Sequence, residues 1–380
     1  MVSPSNGASL TAPYTFHWNT TTDAVDYEII VDNEENFTSP EIDEIVTSTE
    51  YTYSVSLNVG TNYWKVRARN NVGLWGDWTH VWSFIIVIEL TEVGYYYTSH
   101  DARSIAVTGD YAYVVAWGLL IIDVSSPGSP NEVGSYWNPN YRAWDVAMSG
   151  NYAYIVEYSY GLRVINVYDP SSPIEVGSYQ TPGNATGVAV SGTYVYVAEE
   201  DLRIIDVLNP DNPNQIGYYQ MPGSAYDVTV SGNYAFVVGG YGLRVINVSN
   251  PYSPTEVGSY STGGGMLGVT VSNNYAYVSD GYLGLQVFDV SSGIPSKVGS
   301  YNTPGYANGI TVTGNYAYVA DDSSGLLVID ISSPESPLLV GYYDTPGSAF
   351  DVAISGNYAY VADGLSGLRI IDISPFTGGN

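Results

Sequence analysis

Two kinds of side chain in this 380-residue sequence could do chemistry, carboxylates and aromatic rings, and both recur about 41 residues apart. One column reads Asp123, Asn166, Asp206, Asn247, Asp289, Asp330 and Asp372, each followed by a Ser-rich or Pro-rich turn. Asp and Asn at turns bind nearby backbone amides, so this column is expected to cap turns. A second column holds Glu157, Glu199, Asp280, Asp321 and Asp363. A carboxylate repeated in this way differs from a catalytic pair, which needs two unequal environments. Turn capping is one reading of it. The other is Ca²⁺ held by oxygen ligands at Asp280, Asp321, Asp322 and Asp363, although residues 321–325 lack the spacing of a calcium loop. No other cofactor is expected.

Other positions vary from repeat to repeat. Just before the first strand of each repeat stand Arg103, Trp144, Thr186, Tyr226, Leu267, Asn308 and Phe350. Slightly earlier come Asp101, Arg142, Asn184, Ser224, Gly265, Tyr306 and Ser348. The loops joining second and third strands add Trp117, Tyr158, Tyr160, Tyr241, Tyr282 and Leu365. Exposed aromatics on a rigid scaffold anchor ligands. The expected binding face is therefore Trp117, Tyr141, Trp144, Tyr158, Tyr226, Tyr241, Tyr282, Tyr306 and Phe350, set beside the second acidic column. Aromatic rings next to carboxylates suit sugars, and also peptides, so the expected partner is a glycan or a protein. Simple plugging of a central channel is the competing reading.

Composition narrows the remaining chemistry. There are 38 acids against 10 bases, a formal charge of −28, which speaks against nucleic acid and anionic membranes as partners. The longest apolar run, near residues 81–90, is about half a membrane span, so no membrane insertion is expected. With no cysteine and three histidines, thiol chemistry and a histidine-rich metal site are excluded. Gly263, Gly265 and Gly268 spell a dinucleotide-binding pattern, but a strand-like run follows where that motif needs a helix. The leading expectation is a non-enzymatic extracellular or cell-surface binding or adhesion module. A glycoside hydrolase or lyase is the alternative, with Asp101, Asp145 and Glu157 as first suspects because they depart from the repeat environment. A structural subunit of a surface layer or filament is a third.

These residues need a scaffold that repeats. The marker Val/Ile-Gly-x-Tyr places Gly94, Gly134, Gly177, Gly217, Gly258, Gly299 and Gly341 at intervals of 40 to 43 residues. Each unit holds four short β-branched or aromatic runs separated by Ser-Gly-Asn, Ser-Pro or Thr-Pro-Gly breaks, and no segment carries a helical period. Four strands per unit, seven times over, predict a seven-bladed β-propeller over residues 89–380. The last unit lacks a fourth strand and the first residues supply a spare one. Residues 92–97 are therefore expected to pair with 368–373 and close the ring.

The run Leu162-Arg163-Val164-Ile165-Asn166-Val167, repeated at 326–331 and 368–373, resembles the LVIVD repeat family. That resemblance implies a propeller fold and a prokaryotic, extracellular protein, and carries no settled activity or catalytic residues. Residues 1–88 differ. Residues 57–63 resemble the tyrosine corner of fibronectin type III domains, with Trp18 as a buried tryptophan. Arg67 and Arg69 with Trp75 and Trp78 resemble the Arg–Trp ladder of some such domains. The expected fold is thus all-β: a fibronectin type III-like β-sandwich as spacer, a fixed junction, then the propeller. The abrupt start suggests a piece of a longer surface protein with neighbouring domains.

Overall fold

The computed structural model describes residues 2–11, 13–53, 57–138 and 142–377. Tyr141 lies outside them. The chain divides into two compact units, residues 1–89 with 338–342, and residues 90–337 with 343–380. It is all-β except for one short helix among the described residues, Ser374–Thr377, whose Phe376 packs edge-on against Tyr316. Among the described residues no helix is long and apolar enough to cross a membrane.

The first unit has a five-stranded sheet in the order Ala8–Leu10, Trp82–Ile86, Gly60–Asn70, Ala24–Asp32, Ile42–Val46, and a pair, Thr15–His17 with Glu50–Thr52. Alternation along Gly60–Asn70 turns Trp64 and Val66 inward, where they meet Ile29, Val31 and Phe84, and Phe16 from the smaller sheet. Trp18 is buried as expected, and the fully buried Trp64 stacks on Trp82. At the corner it is Asn62, not Tyr63, that is fully buried, and its amide donates to the Asn58 and Gly60 carbonyls. The Arg–Trp ladder is present. The guanidinium of Arg67 lies 4.8 Å from Trp75 and 4.3 Å from Trp78, and that of Arg69 lies 4.8 Å from Trp75. Each arginine stands opposite an acid on the neighbouring strand, Arg67 opposite Glu28 and Arg69 opposite Asp26. Arg69 grips Asp26 with both ends of its fork, at 2.9 and 2.6 Å.

Each repeat contributes a sheet of antiparallel strands, and the first five sheets have four strands each in chain order, the arrangement of a propeller-like fold. The first is Ser104–Thr108, Tyr111–Ala116, Gly118–Asp123 and Asn131–Tyr136. The seventh takes Asp351–Ser355, Tyr358–Ala362 and Leu368–Asp372 from the end of the chain. Its fourth strand is Thr91–Tyr96, with Leu368 opposite Tyr96. Buried residues join each sheet to a neighbour: Val115 and Ile121 of the first share a core with Val146 and Ile155 of the second. Ile105 and Val114 of the first likewise pack with Tyr360 and Ile370 of the seventh. Each such aliphatic side chain, removed from water, contributes roughly 1.5–3 kcal/mol.

The marker glycine follows from this packing. A Cβ at Gly94, Gly134 or Gly177 would run into the carbonyl of Pro127, Pro170 or Pro210, in the turn of the next sheet. The tyrosine excess is packing too. Tyr113, Tyr154, Tyr196, Tyr277, Tyr318 and Tyr360 are buried in second strands. Fourth-strand tyrosines reach the next sheet, the Tyr96 hydroxyl donating to Glu132 (2.7 Å) and that of Tyr219 to Glu256 (2.8 Å). Burial, together with that bond, pushes Tyr96 up to about 12.

Candidate functional site

The first strands of the seven sheets lie side by side, and Ser104–Thr108 touches Asp351–Ser355. At their starts stand Ser104, Asp145, Gly187, Asp227, Gly268, Gly309 and Asp351. The three aspartates stitch neighbouring sheets together. Their Oδ2 atoms accept from the next sheet: Val188 N–H to Asp145 (2.7 Å), Val269 N–H to Asp227 (2.8 Å), Ile105 N–H to Asp351 (3.0 Å). Their Oδ1 atoms accept from the following residue in their own strand, Val146, Val228 or Val352, at 2.7 to 2.8 Å. The Ser104 hydroxyl donates to Asp145 at 2.6 Å. At two of the glycines between them the approach leaves no room for a side chain: a Cβ at Gly309 would come within 2.6 Å of the Asp351 carboxylate, and one at Gly187 within 2.7 Å of Asp227.

No cation pairs with these acids among the described residues. Burial, then the charge of Asp145, pushes Asp227 and Asp351 up to about 7. Burial raises Asp145 as well, against its hydrogen bonds from Ser104, Val188 and Val146. Each aspartate keeps some exposed surface, but packed protein atoms replace most of its hydration, which disfavours the charged form. Asp145 is among the residues expected from the sequence to do chemistry, whereas Asp227 and Asp351 are not. The signal was the alternation of Asp, Gly and Ser at one repeat position.

These aspartates line a cavity of about 890 Å³. All seven residues preceding the first strands line it too, Arg103, Trp144, Thr186, Tyr226, Leu267, Asn308 and Phe350, with Arg142 and Tyr158. Of the expected binding face, Trp144, Tyr158, Tyr226 and Phe350 are thus brought together. Trp117, Tyr241, Tyr282 and Tyr306 stand outside the lining: Tyr282 packs edge-on against Tyr306 at 4.7 Å, and Tyr241 covers Gly223.

From the cavity a continuous stack runs outward. Arg103 lies 5.1 Å from the Phe350 ring and 4.6 Å from Trp144, and Arg142 lies 5.4 Å from Trp144 and 5.7 Å from Trp117. Trp117 then stacks on His100 at 4.5 Å, and His100 meets Trp137 at 5.0 Å. Trp117 has φ +71°, at the repeat position where Gly281, Asp322 and Gly364 have φ between 49 and 55°. Each of these residues bridges to an alanine of the following sheet. A tryptophan rarely adopts this conformation, and the tight turn holds it there with its ring partly exposed. Both arginines meet one acid, Asp101, each at 3.4 Å. Burial lowers the Arg103 pKa, the neighbouring Arg142 lowers it further, and Asp101 works the other way.

The second acidic column does not share the face with these aromatics, which corrects the sequence-based expectation. Glu157, Glu199, Asp280, Asp321 and Asp363 are buried. The reason is local: the loop leading into each repeat needs acceptors for its amides. Gly183 N–H donates to Glu199 (2.8 Å), Gly305 N–H to Asp321 (2.7 Å), and Gly347 N–H with the Thr345 hydroxyl to Asp363 (2.8 and 2.6 Å). Glu157 pairs with Arg163 at 2.8 Å. Burial raises Glu157, Asp280, Asp321 and Asp363 above the ordinary carboxylate range. Asp280, Asp321 and Asp363 belong to three different sheets, and Asp322 serves the left-handed turn. No group of three or more acidic or histidine side chains placed to hold a metal occurs among the described residues. The first column caps turns throughout: Ser125 N–H donates to Asp123 and Ser374 N–H to Asp372, with the same bond at each repeat between. Of the three catalytic suspects, Asp145 lines the cavity and Asp101 and Glu157 do not.

Comparison with known proteins agrees with the repeat architecture. The family model described as LVIVD repeat matches residues 99–138, 142–181, 182–221, 222–262, 263–303, 304–345 and 346–377. No curated protein matches the chain. Among solved structures, the crystal structure of the computationally designed Ika8 protein is similar, with a TM-score of 0.58 and 9% identity. The match covers 74% of this chain and 99% of that one, and at this identity it speaks for the fold alone.

Proposed function

We propose, from the premise that this chain belongs to the LVIVD-repeat family, that it is a non-enzymatic binding or adhesion module of the cell surface or extracellular space. Its ligand, a glycan or a protein segment, enters the cavity of the repeat domain. The observation that carries this reading is the cavity itself, about 890 Å³ and lined by the positions that differ most between repeats. Strands that repeat closely while one end diversifies are what a scaffold with a specificity surface requires. We further infer a seven-bladed ring closed by Thr91–Tyr96, since that strand completes the seventh sheet and the first and seventh sheets share a core. The first unit is read as a fibronectin type III-like spacer on the strength of its two sheets and its Arg–Trp ladder. A prokaryotic source and further domains in the same surface protein fit this role. Nucleic acid and a membrane interior remain unsuited to it, and Ca²⁺ at Asp280, Asp321, Asp322 and Asp363 stays a secondary proposal.

Glycan and peptide arrays test the reading. Binding that disappears in Trp144→Ala, with melting unchanged, supports it, and a folded protein that binds nothing on either array contradicts it. A hydrolase or lyase is the second reading, favoured by Asp227 and Asp351 standing near 7 beside the cavity. Against it, every oxygen of those carboxylates already accepts a backbone N–H.

A further inference from the structure

We propose that the ligand is an acidic oligosaccharide, with carboxylates held by Arg103 and Arg142 and sugar rings set against the exposed parts of Trp144, Trp117 and Trp137. This rests on the cavity being a binding site and names the class of ligand it takes.

Charge bookkeeping within the repeat domain is the first argument. The other arginines there have at least one acid each. Arg163 meets Glu157 and Glu175, Arg203 meets Glu199 and Asp201, Arg369 meets Glu92 and Asp363, and Arg244 meets Glu256. Arg103 and Arg142 have one acid between two, and at 3.4 Å it is beyond the 2.7–2.9 Å typical of a charge-assisted bond. In a chain of formal charge −28, two guanidiniums left short of partners at a cavity are unmatched cationic capacity. A guanidinium fork fits a carboxylate in two-point contact.

The aromatic rings supply the second argument. Trp144 and Trp117 flank Arg142, and the stack continues through His100 to Trp137, which is 45% exposed. A single small anion would need only the arginines. The ring surface left exposed beside these cations, on Trp117 and Trp137, fits an extended ligand that alternates apolar ring faces with negative groups. Sugar rings bearing carboxylates do so, whereas an acidic peptide carries its charges on flexible stems with few flat faces.

The test is calorimetric titration of the whole chain with a galacturonate tetramer, its methyl ester, and a glutamate-rich peptide. The acid form is expected to bind at least about tenfold tighter than the ester. Added salt should weaken it, and Arg103→Gln and Arg142→Gln should each remove about tenfold or more while melting stays put. Acid and ester binding equally, both lost in Trp144→Ala, would overturn this inference and leave the cavity as a neutral-sugar site. Tighter binding of the peptide would overturn the sugar class, and no binding of the acid tetramer to folded protein would overturn the proposal outright.

Discussion

The two units each carry a ladder of arginines and aromatic rings, and the ladders differ in how their charges are matched. In the first unit Arg67 and Arg69 stand opposite Glu28 and Asp26 in register, so each arginine of the stack has its own anion within one sheet. In the repeat domain Arg103 and Arg142 share Asp101, while Asp145, Asp227 and Asp351, one residue past the aromatic column, have amides for partners and no cation. Opposite charges that could neutralise each other are paired in one region and held apart in the other. Paired charges stiffen a surface; separated ones leave an electrostatic pattern that a ligand completes.

The largest effect expected is on the scaffold that keeps those charges apart. Deleting residues 91–96 removes the fourth strand of the seventh sheet and exposes the core shared by Ile105, Val114, Tyr360 and Ile370. The repeat domain should lose its cooperative melting transition, while the tertiary circular dichroism of the Trp64–Trp82 stack in the first unit persists. A repeat domain that melted as before would show that the strand closes nothing.

A smaller effect follows from the unpaired acids. Asp227 and Asp351 titrate near 7 when folded and near 4 in an unfolded chain. Below about pH 4 both states hold the protons, and between about 4 and 7 only the folded state does. Stability should therefore fall as pH rises through that window and level off above it. About 2–4 kcal/mol separates the two ends, the upper figure being a three-unit shift at one site. Urea unfolding at about pH 5 and about pH 8 measures it, and Asp227→Asn should reduce the difference, leaving the share of Asp351. A repeat domain equally stable at both would mean that the acids are not unpaired in the way described.

Much of this scaffold was legible from sequence because it is written in local rules. The Asp123 to Asp372 column caps turns two residues away, and the pairing of Leu368 with Tyr96 follows from counting strands. The ladder residues Arg67, Arg69, Trp75 and Trp78 were visible through their resemblance to the Arg–Trp ladder of some fibronectin type III domains. What was not legible depends on distant loops. The second acidic column turned inward because Gly183, Gly305 and Gly347 need acceptors, a demand set by how each connecting loop folds back. Asp145, Asp227 and Asp351 meet only because sheets far apart in the chain start their first strands around one cavity. The sharing of Asp101 by two arginines likewise joins loops of separate repeats.

The most direct measurement compares Arg67→Gln/Arg69→Gln with Arg103→Gln/Arg142→Gln in the whole chain, reading melting temperature and affinity for the galacturonate tetramer together. The first pair should lower the melting temperature of the first unit and leave affinity untouched. The second pair should abolish measurable binding while melting is unchanged. If the cavity pair instead cost stability and spared binding, the unmatched arginines would be structural, and the distinction between the two ladders would fall.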